Sequence, residues 1–150
     1  MTETVITDRT NVIQFYSVAL RATGNTQTLR RDLTMTLAEL LNGLRAETLD
    51  FEDTLAFVAE HYVYQPSAFK NGLDAHAVSN AAGQNEGACR VFALGMLEQL
   101  SPEDTLCLFG RHLRDVLNDP QGSSHANIRQ FQRHGWIGIV FDEKPLSRKV

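Results

Sequence analysis

Several features that are typical of particular protein classes are scarce or absent in this chain of 150 residues. Two cysteines, Cys89 and Cys107, are too few for the disulfide framework of a small secreted domain. No run approaches the roughly 18 consecutive apolar residues of a membrane span, and the first residues lack the basic start and apolar run of a secretory signal. We therefore expect a soluble protein with no membrane partner.

An excess of positive charge and the short motifs of common cofactors are also lacking. Lys and Arg number 14 and Asp and Glu number 18, so the net charge of −4 gives no footprint for nucleic acid binding. The glycines form neither a P-loop nor a dinucleotide-binding pattern. The histidines and cysteines form no His-Glu-x-x-His or Cys-x-x-Cys motif. These absences exclude the functions that such motifs define.

The length and the apolar content, with 43% hydrophobic residues, are sufficient for one domain with its own core. Residues 1–34 differ from the rest, because seven threonines fall in the first 28 positions. Residues 12–20 are rich in β-branched and aromatic side chains, which favours a strand. Thr36 and Glu39 have the spacing of a capping box. We interpret 35–150 as the domain and 1–34 as an extension, either a strand, a secretion signal or both.

Helical patterns dominate the middle of the chain. Asp50 is the predicted N-cap of one helix, and segment 86–100 is apolar on most sides, as in a central buried helix. Ser101-Pro102 begins a further helix that is predicted to end near Pro120. The predicted inward face of the first helix is Phe51, Leu55, Val58 and Tyr62. The predicted inward face of the last is Leu106, Phe109, Leu113, Val116 and Leu117.

Two segments have the composition of strands. Residues 62–65 alternate before Pro66, and residues 136–141 are rich in β-prone side chains. Together with the strand proposed at residues 12–20, they are expected to form a small sheet against the helices. The sequence therefore predicts an α+β fold, a mostly helical single domain with a small β-sheet.

The segment 80–87 combines glycines, amides and a carboxylate immediately before the central helix. A helix N-terminus offers unpaired N–H groups and a positive dipole end, so it binds anions or polar groups. Asn85 is the predicted N-cap, and Glu86 is favourable at the same dipole. In the alternative interpretation, these two residues only cap the helix and the glycines only turn the chain.

A second polar segment, 123–129, precedes a short helix. His125, Asn127 and Arg129 have the side chains to orient a carboxylate or an amide. Alternatively, Ser123 or Ser124 caps the helix and His125 only satisfies backbone groups. Where the two polar segments meet, we expect a cleft with Tyr64 and Trp136 as its walls.

The five histidines lead to a different hypothesis. If the fold brings His61 and His125 together, a third ligand from Glu86, His112 or Cys89 would complete a transition-metal site with an open position. The chain would then be an iron- or copper-dependent enzyme acting on a small molecule. In the alternative interpretation, the histidines belong to the core and Cys89 is a small buried thiol. Whether the protein is an enzyme stays open.

Five motifs follow one another between residues 36 and 142. They are Phe51-x-Asp53-Thr54-Leu55; Tyr62-x-Tyr64-x-Pro66-x-Ala68-Phe69-x-Asn71-Gly72; Asn80-Ala-Ala-Gly-Gln-Asn-Glu-Gly87 with Cys89; Leu106-x-x-Phe109-Gly110 with Arg114-Asp115-Val116-Leu117; and His125-x-Asn127-Ile128-Arg129-x-Phe131 with Gly135-Trp136-x-Gly138-Ile139-x-Phe141. In this order they resemble the HopJ type III effector protein family, and residues 1–34 lie outside the pattern.

The resemblance implies a compact bacterial domain, present in the cytoplasm and delivered into a host cell by a type III system. It implies a small molecule or a host protein as partner, and no settled reaction or cofactor. The sequence departs from the pattern at Ala88, where serine is expected, and at His112-Leu113, where aromatic residues are expected. The polar residues that recur in the pattern are Asn71, Asn80, Asn85, Glu86, His125, Asn127 and Arg129.

The leading hypothesis is therefore an effector-type protein that binds a ligand or partner in a polar cleft of segments 80–87 and 123–129. The predicted ligand-binding residues are Tyr64, Asn71, Asn85, Glu86, His125, Asn127, Arg129 and Trp136. The metal-dependent enzyme, with His61 and His125 as ligands, is the alternative.

Overall fold

The computed structural model describes residues 34–150 of the chain. Two compact units are present, and the boundary between them falls between Leu49 and Asp50. The strand predicted at residues 12–20 and the predicted role of the extension 1–34 both fall outside the described residues.

The described part of the first unit consists of helix α1 (Leu37–Arg45) and the turn after it. The Thr36 hydroxyl accepts a hydrogen bond from the Glu39 N–H at 3.1 Å, and the Glu39 carboxylate accepts one from the Thr36 N–H at 3.0 Å. The predicted capping box is therefore confirmed. The helix includes Gly43, where a Cβ would overlap the side chain of Leu49. The missing side chain lets the following turn fold back onto the helix.

Helix α2 (Phe51–His61) begins the second unit, and Asp50 is its N-cap as predicted. The Asp50 carboxylate accepts from the Phe51 N–H at 2.7 Å, while Asp53 accepts from the Asp50 N–H at 2.8 Å. Of the predicted inward face, Val58 and Tyr62 are buried, and the other two residues are half-buried. The buried residues within the helix are Thr54, Phe57 and Val58.

Helix α3 (Glu86–Leu97) is the central helix that the sequence predicts. Its buried residues are Cys89, Val91, Phe92, Ala93, Leu94 and Gly95. The Phe92 ring contacts three other rings, with centroid distances of 4.8 Å to Phe131, 5.4 Å to Phe109 and 6.0 Å to Phe69. This aromatic cluster is the centre of the hydrophobic core of the second unit.

The single helix that the sequence predicts after Ser101 is two helices, α4 (Pro102–Cys107) and α5 (Arg111–Asn118). Ser101 caps the first as predicted, because its hydroxyl accepts from the Asp104 N–H at 3.1 Å. The break lies at Gly110, whose φ of 58° and ψ of −128° are outside the helical region and favour glycine. Because of this break, α5 exposes a different side to solvent than a single continuous helix would. Leu117, predicted to face inward, is 57% exposed.

The described residues form two small antiparallel sheets, where the sequence predicts one. Strand β1 (Tyr62–Tyr64) pairs with β5 (Leu146–Arg148). Strand β2 (Phe69–Asn71) lies between β3 (Val78–Asn80) and β4 (Ile139–Phe141). Strands β1 and β4 fall within the two segments predicted to be extended. Residues Gly135–Gly138 form a 3₁₀ helix, which includes the first three residues of the second of these segments.

Helix α6 (Ala126–His134) completes the elements and packs on α4, β2 and β3. The predicted class is confirmed for the part of the chain that the structure describes, an α+β fold that is mostly helical and has small antiparallel sheets. Among these residues, no helix combines the length and the apolar character that crossing a bilayer requires.

Candidate functional site

Four asparagine side chains connect the two polar segments by direct hydrogen bonds. The Oδ1 of Asn127 accepts from the Nδ2 groups of Asn71 at 3.0 Å and Asn80 at 3.2 Å. The Nδ2 groups of Asn127 and Asn85 both donate to the Oδ1 of Asn80, at 2.9 Å and 2.7 Å. Asn71, Asn80 and Asn127 are buried, and their amides bond to one another away from water, although the Asn71 Oδ1 has no partner among residues 34–150. The network holds segment 80–87 beside segment 123–129.

Each polar segment leads into its helix through a residue in the left-handed conformation. Asn85, before α3, has φ 50° and ψ 49°, and His125, before α6, has φ 54° and ψ 53°. Asparagine and histidine adopt this conformation more readily than most residues. Asn85 is the N-cap of α3, as predicted, but its side chain accepts no hydrogen bond from the helix. The Asn85 amide bonds to Asn80 instead. The N-cap of α6 is His125, whose side chain accepts none either, so the alternative in which Ser123 or Ser124 caps that helix is wrong.

Helices α3 and α6 therefore begin without a side-chain cap. The first N–H groups of an α-helix have no partner within the helix, and they carry the positive end of its dipole. Residues from both first turns line one cavity, namely Gly87 and Ala88 of α3 and Ala126, Asn127 and Ile128 of α6. The cavity is therefore suited to a negatively charged group or another hydrogen-bond acceptor.

The cavity has a volume of about 220 Å³, and its lining is completed by Phe51, Asn85, Phe109, His112 and His125. We refer to it by these residues as the Asn–His pocket. The rings of Phe51 and Phe109 are nearly parallel, with centroids 6.3 Å apart, and supply its apolar surface. The Asn–His pocket thus combines hydrogen-bonding groups from the two polar segments with aromatic surface from α2 and from the turn before α5.

Three ionisable side chains come together here, and two of them line the Asn–His pocket. The His112 and His125 rings have centroids 5.1 Å apart, and His125 Nε2 lies 3.4 Å from Asp115 Oδ2. One ligand atom from each of the three residues lies within 4.8 Å of the other two. Burial, together with the charge of Arg111, lowers the pKa of His112 and favours its neutral form. These three are the residues that can hold a metal ion at this place.

Asp50 determines where α5, and with it His112, is placed. Its Oδ1 accepts from the N–H of Phe51 at 2.7 Å and from the N–H of Arg111 at 2.8 Å, and its Oδ2 lies 3.3 Å from Arg114 Nη2. These contacts, with the Arg111 N–H first among them, lower the pKa of Asp50. One carboxylate therefore joins the N-termini of α2 and α5.

Gly110 allows this junction to be close. A Cβ at this position would meet the Asp50 carboxylate and lie 2.7 Å from the Phe51 nitrogen. With glycine there, the Phe51 and His112 rings come into edge contact, with centroids 4.8 Å apart. The geometry of the Asn–His pocket therefore depends on a residue that does not line it.

Tyr64 and Glu86, both predicted to contact a ligand, interact with Arg90. The Arg90 guanidinium lies 3.9 Å from the centroid of the Tyr64 ring, and Arg90 Nη1 lies 3.7 Å from Glu86 Oε1. The Tyr64 hydroxyl is buried, and burial raises its pKa. Neither side chain lines the Asn–His pocket. Asn71, also predicted as a ligand-binding residue, is fully buried within the asparagine network.

Trp136 and Arg129, the other predicted contacts outside the Asn–His pocket, have structural partners. Trp136 Nε1 donates to the Leu100 carbonyl at 2.9 Å, and its ring contacts Phe131 edge-on at a centroid distance of 4.9 Å. The Arg129 guanidinium donates to the carbonyl and the hydroxyl of Ser124. Arg129 thus orders the loop before α6, and the aromatic walls of the pocket are Phe51 and Phe109, where the sequence predicts Tyr64 and Trp136.

The predicted pairing of His61 with His125 is not formed. His61 ends α2 and packs against Phe57, with ring centroids 4.4 Å apart. Phe51, at the pocket, begins the same helix of 11 residues. Ten residues of α-helix span about 15 Å, which separates His61 from the pocket. The ligand-type residues beside His125 are His112 and Asp115.

Cys89, the third ligand considered in one version of the metal hypothesis, is a buried thiol. It is 1% exposed, and burial raises the pKa of the thiol. Its Sγ lies 3.8 Å from the Ser67 carbonyl oxygen. A buried protonated thiol is inert as a nucleophile, so the interpretation of Cys89 as a core residue is confirmed.

Asp115, Phe51 and Phe109 are functional candidates that are not predicted from the sequence. Asp115 lies three residues after His112, a spacing that places both on one helix face, and this was the available signal. The two phenylalanines have the pattern of core residues. They line a cavity only because α2, α3, α5 and α6 meet around it.

Comparisons with known proteins agree with this fold. The crystal structure of a protein described as of unknown function, VPA0580, is similar with a TM-score of 0.68 and 40% sequence identity, over 77% of this chain and 96% of that chain. No curated protein matches this chain. The family model described as HopJ type III effector protein matches residues 37–146. Because this match covers more than half of the sequence and agrees with the motifs, the chain belongs to the HopJ type III effector protein family.

Proposed function

We propose that this protein is an effector-type binding protein whose Asn–His pocket holds a small molecule with a carboxylate or an amide group. The observation that carries the proposal is the meeting of segments 80–87 and 123–129 at one cavity. These segments are distant in sequence, and a network of buried amides keeps them together. Buried hydrogen-bond networks of this kind favour one arrangement of the groups around them.

The hydrogen-bonding groups of the pocket match a carboxylate or an amide. The N–H groups at the start of α3 and α6 are donors. Asn85 is exposed, and no residue among 34–150 donates a hydrogen bond to its Oδ1, so this oxygen is an available acceptor. A carboxylate accepts from the N–H groups, and an amide also donates to Asn85.

The size and the apolar surface of the pocket indicate a small ligand. Its volume of about 220 Å³ is below the range of about 300–1,000 Å³ that holds drug-sized molecules. Phe51 and Phe109 present ring surface that a short hydrocarbon segment can cover. The expected ligand is therefore a small metabolite that carries a polar group at one end and a short apolar part.

Heteronuclear NMR on the ¹⁵N-labelled full chain tests this proposal. The probes are acetate, succinate, glutamate and glutamine, each titrated near neutral pH. We expect saturable shifts that are concentrated on the N–H signals of Gly87, Ala88, Ala126 and Asn127. Probes that leave these signals unchanged, or that shift signals over the whole surface, would contradict the proposal.

Asn85→Gly is the variant that removes the proposed acceptor. Glycine keeps the left-handed backbone at this position, so α3 should begin as in the parent chain, and the hydrogen bond from the Asn85 amide to Asn80 is lost as well. The loss of one hydrogen bond should weaken amide binding by about tenfold, and carboxylate binding by less. Gln132→Ala removes an exposed amide from α6 and serves as the control. Equal amide affinity in both variants would exclude Asn85 as a contact.

We further propose that the protein acts in a host cell and that residues 1–34 direct its delivery. The family description and the seven threonines in the first 28 residues support this proposal. The test fuses residues 1–34, and separately 35–150, to an adenylate cyclase that is active only with host calmodulin. Cyclic AMP should rise in host cells only with the first fusion and only from bacteria with a functional type III system. Delivery of the second fusion would place the signal inside the domain.

A further inference from the structure

The side chains of His112, Asp115 and His125 have the composition of a metal site. They supply two imidazole nitrogens and one carboxylate oxygen, all within 4.8 Å of one another. Two histidines and one carboxylate bind non-haem iron and catalytic zinc in proteins, and they leave further coordination positions for water or a ligand. The proposed binding of a carboxylate or an amide assigns no role to Asp115.

The separations in this cluster are close to those that a metal ion needs. Bonds of about 2.1 Å at tetrahedral angles place two ligand atoms about 3.4 Å apart. His125 Nε2 and Asp115 Oδ2 are already 3.4 Å apart. The largest separation in the cluster is 4.8 Å, so tetrahedral coordination requires side-chain rotations that bring these two atoms closer by about 1.4 Å.

The backbone that carries the three side chains is held in place on both sides. His112 and Asp115 share one face of α5, whose N-terminus is fixed by the Asp50 carboxylate. His125 precedes α6 in the left-handed conformation, two residues before Asn127 in the amide network. Ligands placed by rigid elements lose little conformational entropy when an ion binds.

The nearby positive charge is already compensated. Arg111 Nη2 forms an ion pair with Glu52 Oε2 at 2.6 Å, and Arg111 Nη1 lies 3.6 Å from Asp50. Arg114 Nη2 lies 3.3 Å from the same Asp50 carboxylate. These ion pairs reduce the repulsion that two guanidinium groups would otherwise exert on a cation bound at α5.

We propose that His112, Asp115 and His125 bind one divalent transition-metal ion, with its open coordination positions directed to the Asn–His pocket. A carboxylate or amide oxygen in the pocket then has a metal ion as a further partner. This inference rests on the proposed function only for the part that concerns the ligand. The ion itself is held by the three side chains, so its binding can be measured without a ligand.

Titration of the chelator-treated full chain with Co²⁺ tests the proposal. Cobalt is the probe because its visible absorption reports ligand number and donor type. We expect one Co²⁺ per chain in the parent protein and in His61→Ala, which removes a histidine outside the cluster. His112→Phe keeps a ring against Phe51, and Asp115→Asn changes an exposed carboxylate, so both variants should fold. Each should lower the affinity by about 10–100-fold or more, since even residues outside the first coordination sphere have effects of this size.

Two results would overturn the metal site. One is the absence of stoichiometric Co²⁺ binding to the parent protein. The other is an affinity in Asp115→Asn equal to that in His61→Ala, and this comparison holds even if His112→Phe does not fold. Repeating the NMR titration with metal-free protein separates the two proposals. If probes shift the pocket signals but no Co²⁺ binds, the proposed function is retained and the metal site is rejected. If Co²⁺ binds but no probe shifts the pocket signals, the metal site is retained and the proposed function is rejected.

Discussion

At the scale of single residues, Gly110 shows how a position without a side chain controls the site. We predict that Gly110→Ala destabilises the fold by at least about 2 kcal/mol, because alanine is unfavourable at a φ of 58° and its Cβ approaches the Phe51 nitrogen to 2.7 Å. Urea unfolding followed by circular dichroism measures this loss. The displacement of α5 should also shift the His112 ring signals in NMR spectra.

Gly83→Ala is the matched control for this prediction. Gly83 also has a positive φ, of 90°, but the nearest side-chain atom that a Cβ would meet there is 3.7 Å away. Alanine at this position should therefore cost only the backbone strain, about 1–2 kcal/mol. If the two variants lose the same free energy of unfolding, the close contact of Gly110 with Asp50 and Phe51 has no energetic effect.

Asp50 gives the residue-scale prediction that depends on pH. Hydrogen bonds from the Arg111 and Phe51 N–H groups hold the pKa of this carboxyl below its ordinary value of 3.8. A carboxyl whose pKa is lower in the folded state stabilises the fold above its unfolded pKa, and that contribution is lost as the pH falls through the folded pKa. Asp50→Asn should therefore cost about 1 kcal/mol near pH 7 and less near pH 3. Thermal unfolding of both proteins at the two pH values measures the difference, and a difference that grows on acidification would reverse the assignment.

At the scale of elements, the sequence predicts the helix starts whose capping residues lie within four consecutive positions. Thr36 with Glu39, Asp50 with Asp53, and Ser101 with Asp104 satisfy their caps locally. The central helix α3 is equally clear, because an apolar pattern of this length has one interpretation. Capping and periodicity are properties of neighbouring residues, so a single sequence contains them in full.

The elements that the sequence does not predict depend on contacts between distant residues. Asn85 is the N-cap of α3, but it has a left-handed backbone and its amide bonds to Asn80 and not to the helix. Strands β2 and β3 each end in an asparagine, a residue that is depleted in strands, so their composition does not indicate a strand. The approach of Asp115 to His125 arises only when α5 and α6 pack. The candidate residues of the two polar segments were therefore predictable, whereas their geometry was not.

Asn127 is the residue through which α6 is joined to β2 and β3. Asn127→Ala removes one acceptor and one donor, so one N–H of each of the buried Asn71 and Asn80 amides loses its acceptor, while the other keeps a backbone carbonyl. We predict a loss of about 2–3 kcal/mol in the free energy of unfolding, since buried unsatisfied amides are costly. Hydrogen exchange should accelerate first in β2, β3 and the start of α6. Gln132→Ala, on the exposed side of the same helix, should leave both quantities nearly unchanged.

At the scale of the second unit, the core and the Asn–His pocket are connected by contacting aromatic rings. The Phe92 ring, at the centre of the core, lies 5.4 Å from Phe109, which lies 6.3 Å from Phe51. The Phe51 ring is 4.8 Å from that of His112. Close-packed interiors transmit a change in volume to their neighbours. The position of His112 should therefore respond to a substitution in the core that it does not touch.

Phe92→Ala and Leu146→Ala together test this connection. Both residues are almost fully buried, so urea denaturation should show a loss of about 3–5 kcal/mol in the free energy of unfolding for Phe92→Ala and about 2–5 kcal/mol for Leu146→Ala. Leu146 lies on β5, outside the row of rings from Phe92 to His112. We therefore predict that only Phe92→Ala shifts the His112 ring signals in NMR spectra and weakens Co²⁺ binding. Equal shifts in both variants would mean that the His112 ring responds to general destabilisation of the fold and not to contact between the rings. No shift in either would mean that the pocket is held by Asp50 and the asparagine network alone.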